Sequence, residues 1–164
     1  MSEDNFLLVQ RLFRVATDKN IKISFAESCT GGLIGAAVTE IAGASEFFLG
    51  SAVTYSNEAK KNILGVNKTT LEKYGAVSAE CAEEMAAGAR KIYKSDIAIS
   101  TTGIAGPAGG SEEKPVGTVW FGYASKGKTT SFTRVFKGDR NKIREAALRQ
   151  VLFFLLEELS TDEK

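Results

Sequence analysis

The segment at residues 26–32 (AESCTGG) combines a hydroxyl side chain, Ser28, with the paired glycines Gly31 and Gly32. A serine that a strand delivers to a helix N-terminus can act as a nucleophile, because free backbone N–H groups there can hold an anion. The chain contains no histidine, so the base that activates Ser28 must be another group. A lysine can serve if its pKa, ordinarily about 10.4, is lowered by burial or by a positive neighbour. The sequence therefore predicts nucleophilic chemistry without histidine.

The candidate base is Lys60, which follows Tyr55 by five residues in the segment at residues 54–60 (TYSNEAK). Tyr55 would either relay a proton or orient the amine. Structural alternatives stay open for these residues. In these alternatives, Ser28 or Thr30 only caps the helix that begins near Gly31. Tyr55 is then an aromatic side chain at a strand end, and Lys60 is a solvated amine.

Cys29 is a second candidate nucleophile because it is adjacent to Ser28. A cysteine usually needs a histidine partner for activation, although a helix N-terminus alone can lower the pKa of a thiol. Because the chain has no histidine, we rank Cys29 below Ser28.

Two further segments have the composition of ligand-binding elements. The segment at residues 101–110 (TTGIAGPAGG) follows a predicted strand, and open α/β sheets bind ligands at the ends of their strands. Arg140 and Arg144 lie one helical turn apart near the start of the last predicted helix, where they would bind a phosphate. A surface loop and a solvated basic face are the alternative interpretations.

Two motif matches have an unsuitable context. Residues 122–129 (GYASKGKT) fit the P-loop pattern, but the residues that follow are β-branched and aromatic and predict a strand, whereas a P-loop requires a helix. Ser111 and Lys114 fit the Ser-x-x-Lys pattern of penicillin-binding enzymes but lie in a predicted loop before Pro115. We therefore interpret the first segment as a hairpin turn and the second as an ordinary loop.

Composition limits the classes of protein that fit. The 164 residues carry 21 basic and 20 acidic side chains, so no overall field favours nucleic acid or an anionic membrane. The acidic N-terminus is unlike a signal peptide, and no segment is as apolar as a membrane span. The two cysteines have no metal-binding or redox spacing. We expect a cytoplasmic protein that binds neither nucleic acid nor membranes and uses no metal or cofactor.

Hydrophobic periodicity predicts one domain, residues 1–164, of the α/β class: a three-layer α/β/α sandwich with a mixed sheet. Predicted helices cover residues 4–18, 31–42, a short segment ending near 65, a turn at 70–74, a helix that Ser78 caps, and a helix that Asp139 caps. Predicted strands cover residues 21–26, 47–55, 97–101, 116–124 and 129–136. Phe153, Phe154 and Leu156 broaden the apolar surface of the last helix, which favours a homo-oligomer.

Six segments together resemble the CinA C-terminal domain family, in the same order along nearly the whole chain. They are AESCTGG at residues 26–32, VTYSNEAK at 53–60, GAVS at 75–78, TGIAGP at 102–107, KPVGTV at 114–119 and GDR at 138–140. Stand-alone members of the family are nicotinamide-nucleotide amidases. The resemblance implies hydrolysis of nicotinamide mononucleotide to nicotinate mononucleotide and ammonia, in pyridine nucleotide recycling, with Ser28, Tyr55 and Lys60 as catalytic residues.

On this hypothesis three parts of the chain bind the nucleotide substrate. Backbone N–H groups near residues 30–32 would hold the oxyanion, the loop after residue 102 would line the pocket, and the two arginines would neutralise the phosphate. The substrate-binding candidates are Glu27, Thr30, Gly31, Gly32, Thr102, Gly103, Ala105, Gly106, Arg140 and Arg144. The alternative from another class is a non-catalytic nucleotide-binding or protein-interaction module related to competence or DNA damage, which would have no use for a lysine of lowered pKa.

Overall fold

A computed structural model describes residues 2–161, so both ends of the predicted domain, residue 1 and residues 162–164, lie outside the described residues. The helices are α1 (Glu3–Asp18), α2 (Leu33–Thr39), α3 (Asn57–Leu64), α4 (Lys68–Tyr74), α5 (Ala79–Tyr93) and α6 (Arg140–Thr161). The strands are β1 (Ile23–Glu27), β2 (Phe48–Val53), β3 (Ile97–Gly103), β4 (Thr118–Ser125) and β5 (Lys128–Val135). The α/β class with a mixed sheet is confirmed. The turn predicted at residues 70–74 is a full helix, α4, of seven residues.

The sheet has the strand order β2-β1-β3-β4-β5. β1 runs parallel to both β2 and β3, whereas β4 and β5 are antiparallel additions joined by a hairpin. The hairpin occupies the segment that matches the P-loop pattern, which confirms that the match carries no P-loop. Because β1, β2 and β3 are parallel, their C-terminal ends lie at the same edge of the sheet.

Helices cover both faces of the sheet, which makes three layers. One face packs against α1, α2 and α6 in a core that includes Val9, Ile34, Leu148 and Leu152. The other face packs against α5, through Cys81, Met85 and Ala89, with α3 and α4 beside it. Side chains alternate between the two faces along a strand, so Phe25 of β1 joins the first core and Ala26 the second.

Capping side chains set the start of two helices as predicted. The Ser78 hydroxyl accepts a hydrogen bond from the Cys81 amide at 3.2 Å, and the Asp139 carboxylate accepts one from the Lys142 amide at 2.9 Å. The helix predicted at residues 31–42 is shorter, because Gly31 and Gly32 have φ values of +60° and +93°, which an α-helix does not admit. The tight loop that they form lies directly after Ser28.

The predicted apolar surface of the last helix is mostly covered within the chain itself. Phe154 packs against Tyr123 and Phe132 with ring centroids 5.5 and 4.8 Å apart, and Leu156 is buried. Only Phe153 of the three residues is substantially exposed, at 41%. The sequence argument for a homo-oligomer therefore loses two of its three residues, and self-association stays a prediction.

Candidate active site

Ser28 lies at the edge where the three parallel strands end. Its amide donates to the Thr101 carbonyl of β3 at 2.9 Å, and the Thr54 amide beyond β2 donates to the Glu27 carbonyl at 2.8 Å. The backbone ladder is thereby extended on both sides of β1, which holds the Ser28 backbone between its neighbours. The Ser28 side chain is 8% exposed, so it lies just below the surface.

Lys60 of α3 reaches Ser28 directly. Its Nζ lies 2.9 Å from Ser28 Oγ, 2.9 Å from the Thr54 carbonyl oxygen and 3.2 Å from the Tyr55 carbonyl oxygen. The two carbonyls can only accept, so they bind N–H groups of the amine. The third position faces the Ser28 hydroxyl: an ammonium would donate there, whereas a neutral amine presents its lone pair to the serine proton. The contact is the one a serine nucleophile and a lysine base require.

Burial favours the neutral form of that amine. Lys60 is 1% exposed, and desolvation lowers the pKa of its amine below the ordinary lysine value. Among residues 2–161, no carboxylate forms an ion pair with Lys60 to restore its charge. The solvated alternative for Lys60 is therefore wrong.

Cys29 is poorly suited to act as the nucleophile. Its side chain is 5% exposed, and burial raises the pKa of the thiol to about 12. Lys60 and Arg144 lower that pKa, but by less than burial raises it. At neutral pH the group is a thiol, which is a weak nucleophile.

Glu27 anchors the loop that carries Ser28. Its carboxylate is fully buried and accepts four hydrogen bonds: Oε2 from the amides of Gly32 and Ile34, at 2.9 and 3.1 Å, and Oε1 from the Gly35 amide and the Ser51 hydroxyl, at 2.9 and 2.7 Å. The negative charge also faces the positive end of α2. Both oxygens are therefore engaged by three backbone amides and the Ser51 hydroxyl, and the substrate contact predicted for Glu27 stays a prediction.

The amides predicted to hold an oxyanion are partly occupied. The Gly31 amide donates to the Ser28 carbonyl at 3.0 Å, and the Gly32 amide donates to Glu27. In contrast, the amides of Cys29 and Thr30 make no backbone hydrogen bond among residues 2–161. The two amides that directly follow Ser28 therefore donate to no carbonyl or carboxylate of the described residues.

Arg140 connects the segments on either side of the Ser28 strand. Its guanidinium donates to the Gly106 carbonyl beyond β3 at 2.9 Å and to the Tyr55 hydroxyl beyond β2 at 2.8 Å. Because β1 lies between β2 and β3, this side chain spans the sheet edge beside Ser28. Tyr55 is 60% exposed and offers its backbone carbonyl, rather than its hydroxyl, to Lys60. In this conformation the tyrosine orients the amine through its main chain.

Arg144 contacts the Ser28 loop directly. It donates to the Thr30 carbonyl at 2.7 Å, and the buried Thr30 hydroxyl pairs with that of Thr101 at 2.8 Å. Neither Arg140 nor Arg144 forms an ion pair with a carboxylate of the described residues. Two guanidinium groups without a carboxylate partner among the described residues thus lie at this edge of the sheet, and their charge favours an anionic ligand.

Three substrate-binding candidates, at the end of β3 and in the loop after it, make structural contacts in this chain. The Thr102 hydroxyl donates to the Ala76 carbonyl at 2.8 Å. Gly103 lies so close to β4 that a Cβ atom there would be 2.5 Å from the Thr118 carbonyl oxygen. Ala105 is 5% exposed and belongs to the hydrophobic core. The structure therefore brings Gly106, but not the Ala105 side chain, toward the arginines.

Thr54 is a residue of the site that sequence reasoning missed. It is fully buried, its carbonyl accepts from Lys60, and its hydroxyl has no partner among residues 2–161. Its position beside Tyr55 in the segment at residues 53–60 was the available signal.

Within the described chain, no group of three or more His, Cys, Asp or Glu side chains could hold a metal ion, and no helix is both long and apolar enough to span a membrane.

The fold and the site together define a class of protein: an α/β domain whose parallel strand ends present a serine to a buried lysine. The chain belongs to the CinA C-terminal domain family, whose model matches residues 6–159. It is 54% identical over 143 residues to a CinA-like protein from Fusobacterium nucleatum, covering 87% of this chain and 35% of the relative. A CinA-like protein from Endomicrobium trichonymphae is 49% identical over 156 residues, covering 95% of this chain and 36% of the relative. The chain spans about a third of the length of these curated relatives.

Solved structures of similar proteins have the same fold over nearly their whole length. The competence/damage inducible protein CihA from Agrobacterium tumefaciens is 41% identical, with a TM-score of 0.92 and coverage of 98% of both chains. A CinA superfamily protein from Klebsiella pneumoniae is 36% identical, with a TM-score of 0.92 and coverage of 96% of this chain and 98% of that one. The names of these relatives specify the family and no reaction.

Proposed function

We propose that this protein is an amidohydrolase that converts nicotinamide mononucleotide to nicotinate mononucleotide and ammonia. The observation that carries the proposal is the 2.9 Å contact between a buried Lys60 amine and the Ser28 hydroxyl. A protein that only bound a nucleotide would gain nothing from burying an amine at this cost. Membership of a family that includes nicotinamide-nucleotide amidases supports the choice of substrate.

The reaction begins with transfer of the Ser28 proton to the neutral amine of Lys60 while the serine oxygen attacks the carboxamide carbon. The carbonyl oxygen becomes an oxyanion, which backbone amides of the loop after Ser28 hold by hydrogen bonds. Thr54 and Tyr55 keep their carbonyls on the amine and so fix its lone pair toward Ser28. The nucleophile, the base and the oxyanion donors then come from one loop and the start of α3.

Collapse of the tetrahedral intermediate breaks the carbon–nitrogen bond. The Lys60 ammonium returns its proton to the leaving nitrogen, so the group departs as neutral ammonia and the substrate acid is left as an ester on Ser28. Water then attacks the ester with Lys60 again as base, which releases the carboxylic acid and restores the serine. The positive charges of Arg140 and Arg144 bind the 5′-phosphate of the nucleotide at the rim of the site.

The experiment incubates the protein with nicotinamide mononucleotide and measures ammonia and nicotinate mononucleotide in equal amounts. We expect Ser28→Ala and Lys60→Met to lower kcat by about 10³-fold or more, because each removes one member of a unit. Lys61→Met is the matched control, since Lys61 is the next residue, half-exposed and paired with Glu58 at 3.0 Å. Turnover that persists in both site variants, or that is absent from the unaltered protein, would overturn the proposal.

A further inference from the structure

A cleft that the proposed reaction does not use opens between α4, the start of α5, the loop after β3 and the strand β4. It has a volume of about 290 Å³, and its lining includes Tyr74, Glu80, Lys114 and Trp120. Lys114 joins two walls, because its Nζ donates to the Tyr74 carbonyl at 3.2 Å. The Ser-x-x-Lys match in the sequence thus ends on a lysine that lines a cleft.

The cleft lies on the same face of the sheet as the Ser28–Lys60 pair. Thr102 points toward the α4–α5 connection, where its hydroxyl donates to Ala76. Trp120 is the residue directly opposite Thr102 in the antiparallel β3–β4 pair, so both side chains lie on that face. The strand β1, which leads to Ser28, and the strand β4, which carries Trp120, are two strand spacings apart, or roughly 10 Å. A second ligand group in the cleft would lie beside the amidase site.

The chemistry of the lining fits a nucleotide. Trp120 is half-buried and Tyr74 is 38% exposed, and such aromatic surfaces stack on planar bases of any sequence. Lys114 offers an ammonium for a phosphate, and the half-buried Glu80 offers a carboxylate that can accept hydrogen bonds from ribose hydroxyls. Lys73 adds a second positive charge, with its Nζ 4.8 Å from the centre of the Tyr74 ring. The lining itself carries one cation, Lys114, and one carboxylate, Glu80, and Lys73 lies outside it against the Tyr74 ring.

We propose that this cleft binds a nucleoside 5′-phosphate beside the Ser28 site, with the purine nucleotide adenosine 5′-phosphate as the probe. The base stacks on Trp120, the phosphate contacts Lys114, and the volume accommodates one nucleoside unit. The phosphate of the amide substrate has a different set of cations, Arg140 and Arg144, which α6 supplies. Two ligands can supply an adenylate group to this cleft: free adenosine 5′-phosphate, or a pyridine dinucleotide through its adenylate half.

Trp120 is the one tryptophan of the chain and therefore reports on its own cleft. The experiment titrates Ser28→Ala protein with adenosine 5′-phosphate and follows tryptophan emission, excited where purines do not absorb. Because Ser28→Ala removes the nucleophile, binding is measured whether or not the protein is an amidase. We expect a saturable change in emission, weakened about 10-fold by Lys114→Ala and by Tyr74→Ala.

Lys126→Ala is the matched control, because Lys126 lies in the exposed turn between β4 and β5 and should leave the affinity unchanged. Saturation with nicotinamide mononucleotide should also leave the affinity for adenosine 5′-phosphate unchanged. The inference is overturned if no saturable change occurs at millimolar ligand, if Lys114→Ala has no more effect than Lys126→Ala, or if nicotinamide mononucleotide displaces the purine competitively. Tighter binding of a pyridine dinucleotide than of adenosine 5′-phosphate would identify the dinucleotide as the source, and equal or weaker binding the free mononucleotide.

Discussion

Replacing Glu27 by glutamine separates the structural role of this residue from a substrate contact. Each carboxylate oxygen accepts two hydrogen bonds, Oε2 from the amides of Gly32 and Ile34 and Oε1 from the Gly35 amide and the Ser51 hydroxyl. A glutamine has one side-chain oxygen, which can accept from only one of these two pairs of donors. Its NH₂ group then faces the other pair, which cannot donate to it.

The magnitude follows from the bonds that are lost. In the more favourable orientation the glutamine amide faces Gly35 and Ser51, and the Ser51 hydroxyl can turn to accept. The remaining bonds lose the negative charge of their acceptor, and the Gly35 amide is left buried without a partner. A hydrogen bond to a charged group contributes about 1.5–3 kcal/mol, so we expect Glu27→Gln to lower the free energy of unfolding by about 3 kcal/mol.

The assay is urea unfolding followed by circular dichroism, with two further variants. Ser51→Ala removes one donor and should cost about 1–2 kcal/mol. Glu72→Gln changes an exposed glutamate of α4 and should lie within about 0.5 kcal/mol of the unaltered protein. A loss below about 1 kcal/mol for Glu27→Gln, with nucleotide affinity reduced instead, would refute the anchoring role and favour the substrate contact first predicted from the sequence.

The remaining predictions concern the site itself. Burial lowers the pKa of Lys60, and only its neutral form can accept the Ser28 proton. We therefore expect kcat/KM to rise with pH through a pKa below the ordinary lysine value of about 10.4. A rise confined to pH values above that value would contradict the account. Cys29→Ala should retain most of its turnover because the thiol is protonated, whereas a loss as large as that of Ser28→Ala would assign the attack to sulfur. Arg140→Ala should raise KM about 10-fold, with Arg149→Ala as a control on the same helix; an unchanged KM would place the phosphate elsewhere.

The parts of the fold that were predictable depend on short-range signals. The caps Ser78 and Asp139, the periodic apolar residues of the helices and the β-branched run after residue 128 each specify local structure within one element. Ile92 shows the limit of periodicity, since it continues the apolar stripe of α5 but is 47% exposed. Periodicity identifies the face of a helix, whereas the extent of the neighbouring sheet decides which residues on it are covered.

The parts of the site that were not predictable depend on contacts between distant segments. Glu27 was expected to contact substrate, but a residue 24 positions away and the start of α2 occupy its carboxylate. Arg140 and Tyr55 are 85 positions apart, and their hydrogen bond follows from the strand order, which the sequence does not state. The absence of histidine made Lys60 a candidate base for Ser28, and the resemblance to the CinA C-terminal domain family selected this pair. The structure adds the carbonyls of Thr54 and Tyr55, which bind the amine.

The charge of the Lys60 amine decides whether Ser28 has a base. Nuclear magnetic resonance of protein labelled with ¹³C at the lysine side chains, with Lys60→Met to assign the signal, measures the pKa of this amine directly. We predict that it titrates below the other lysines and that its pKa coincides with the inflection in kcat/KM. A Lys60 signal that titrates together with the exposed lysines, near the ordinary value of about 10.4, would contradict the proposed mechanism.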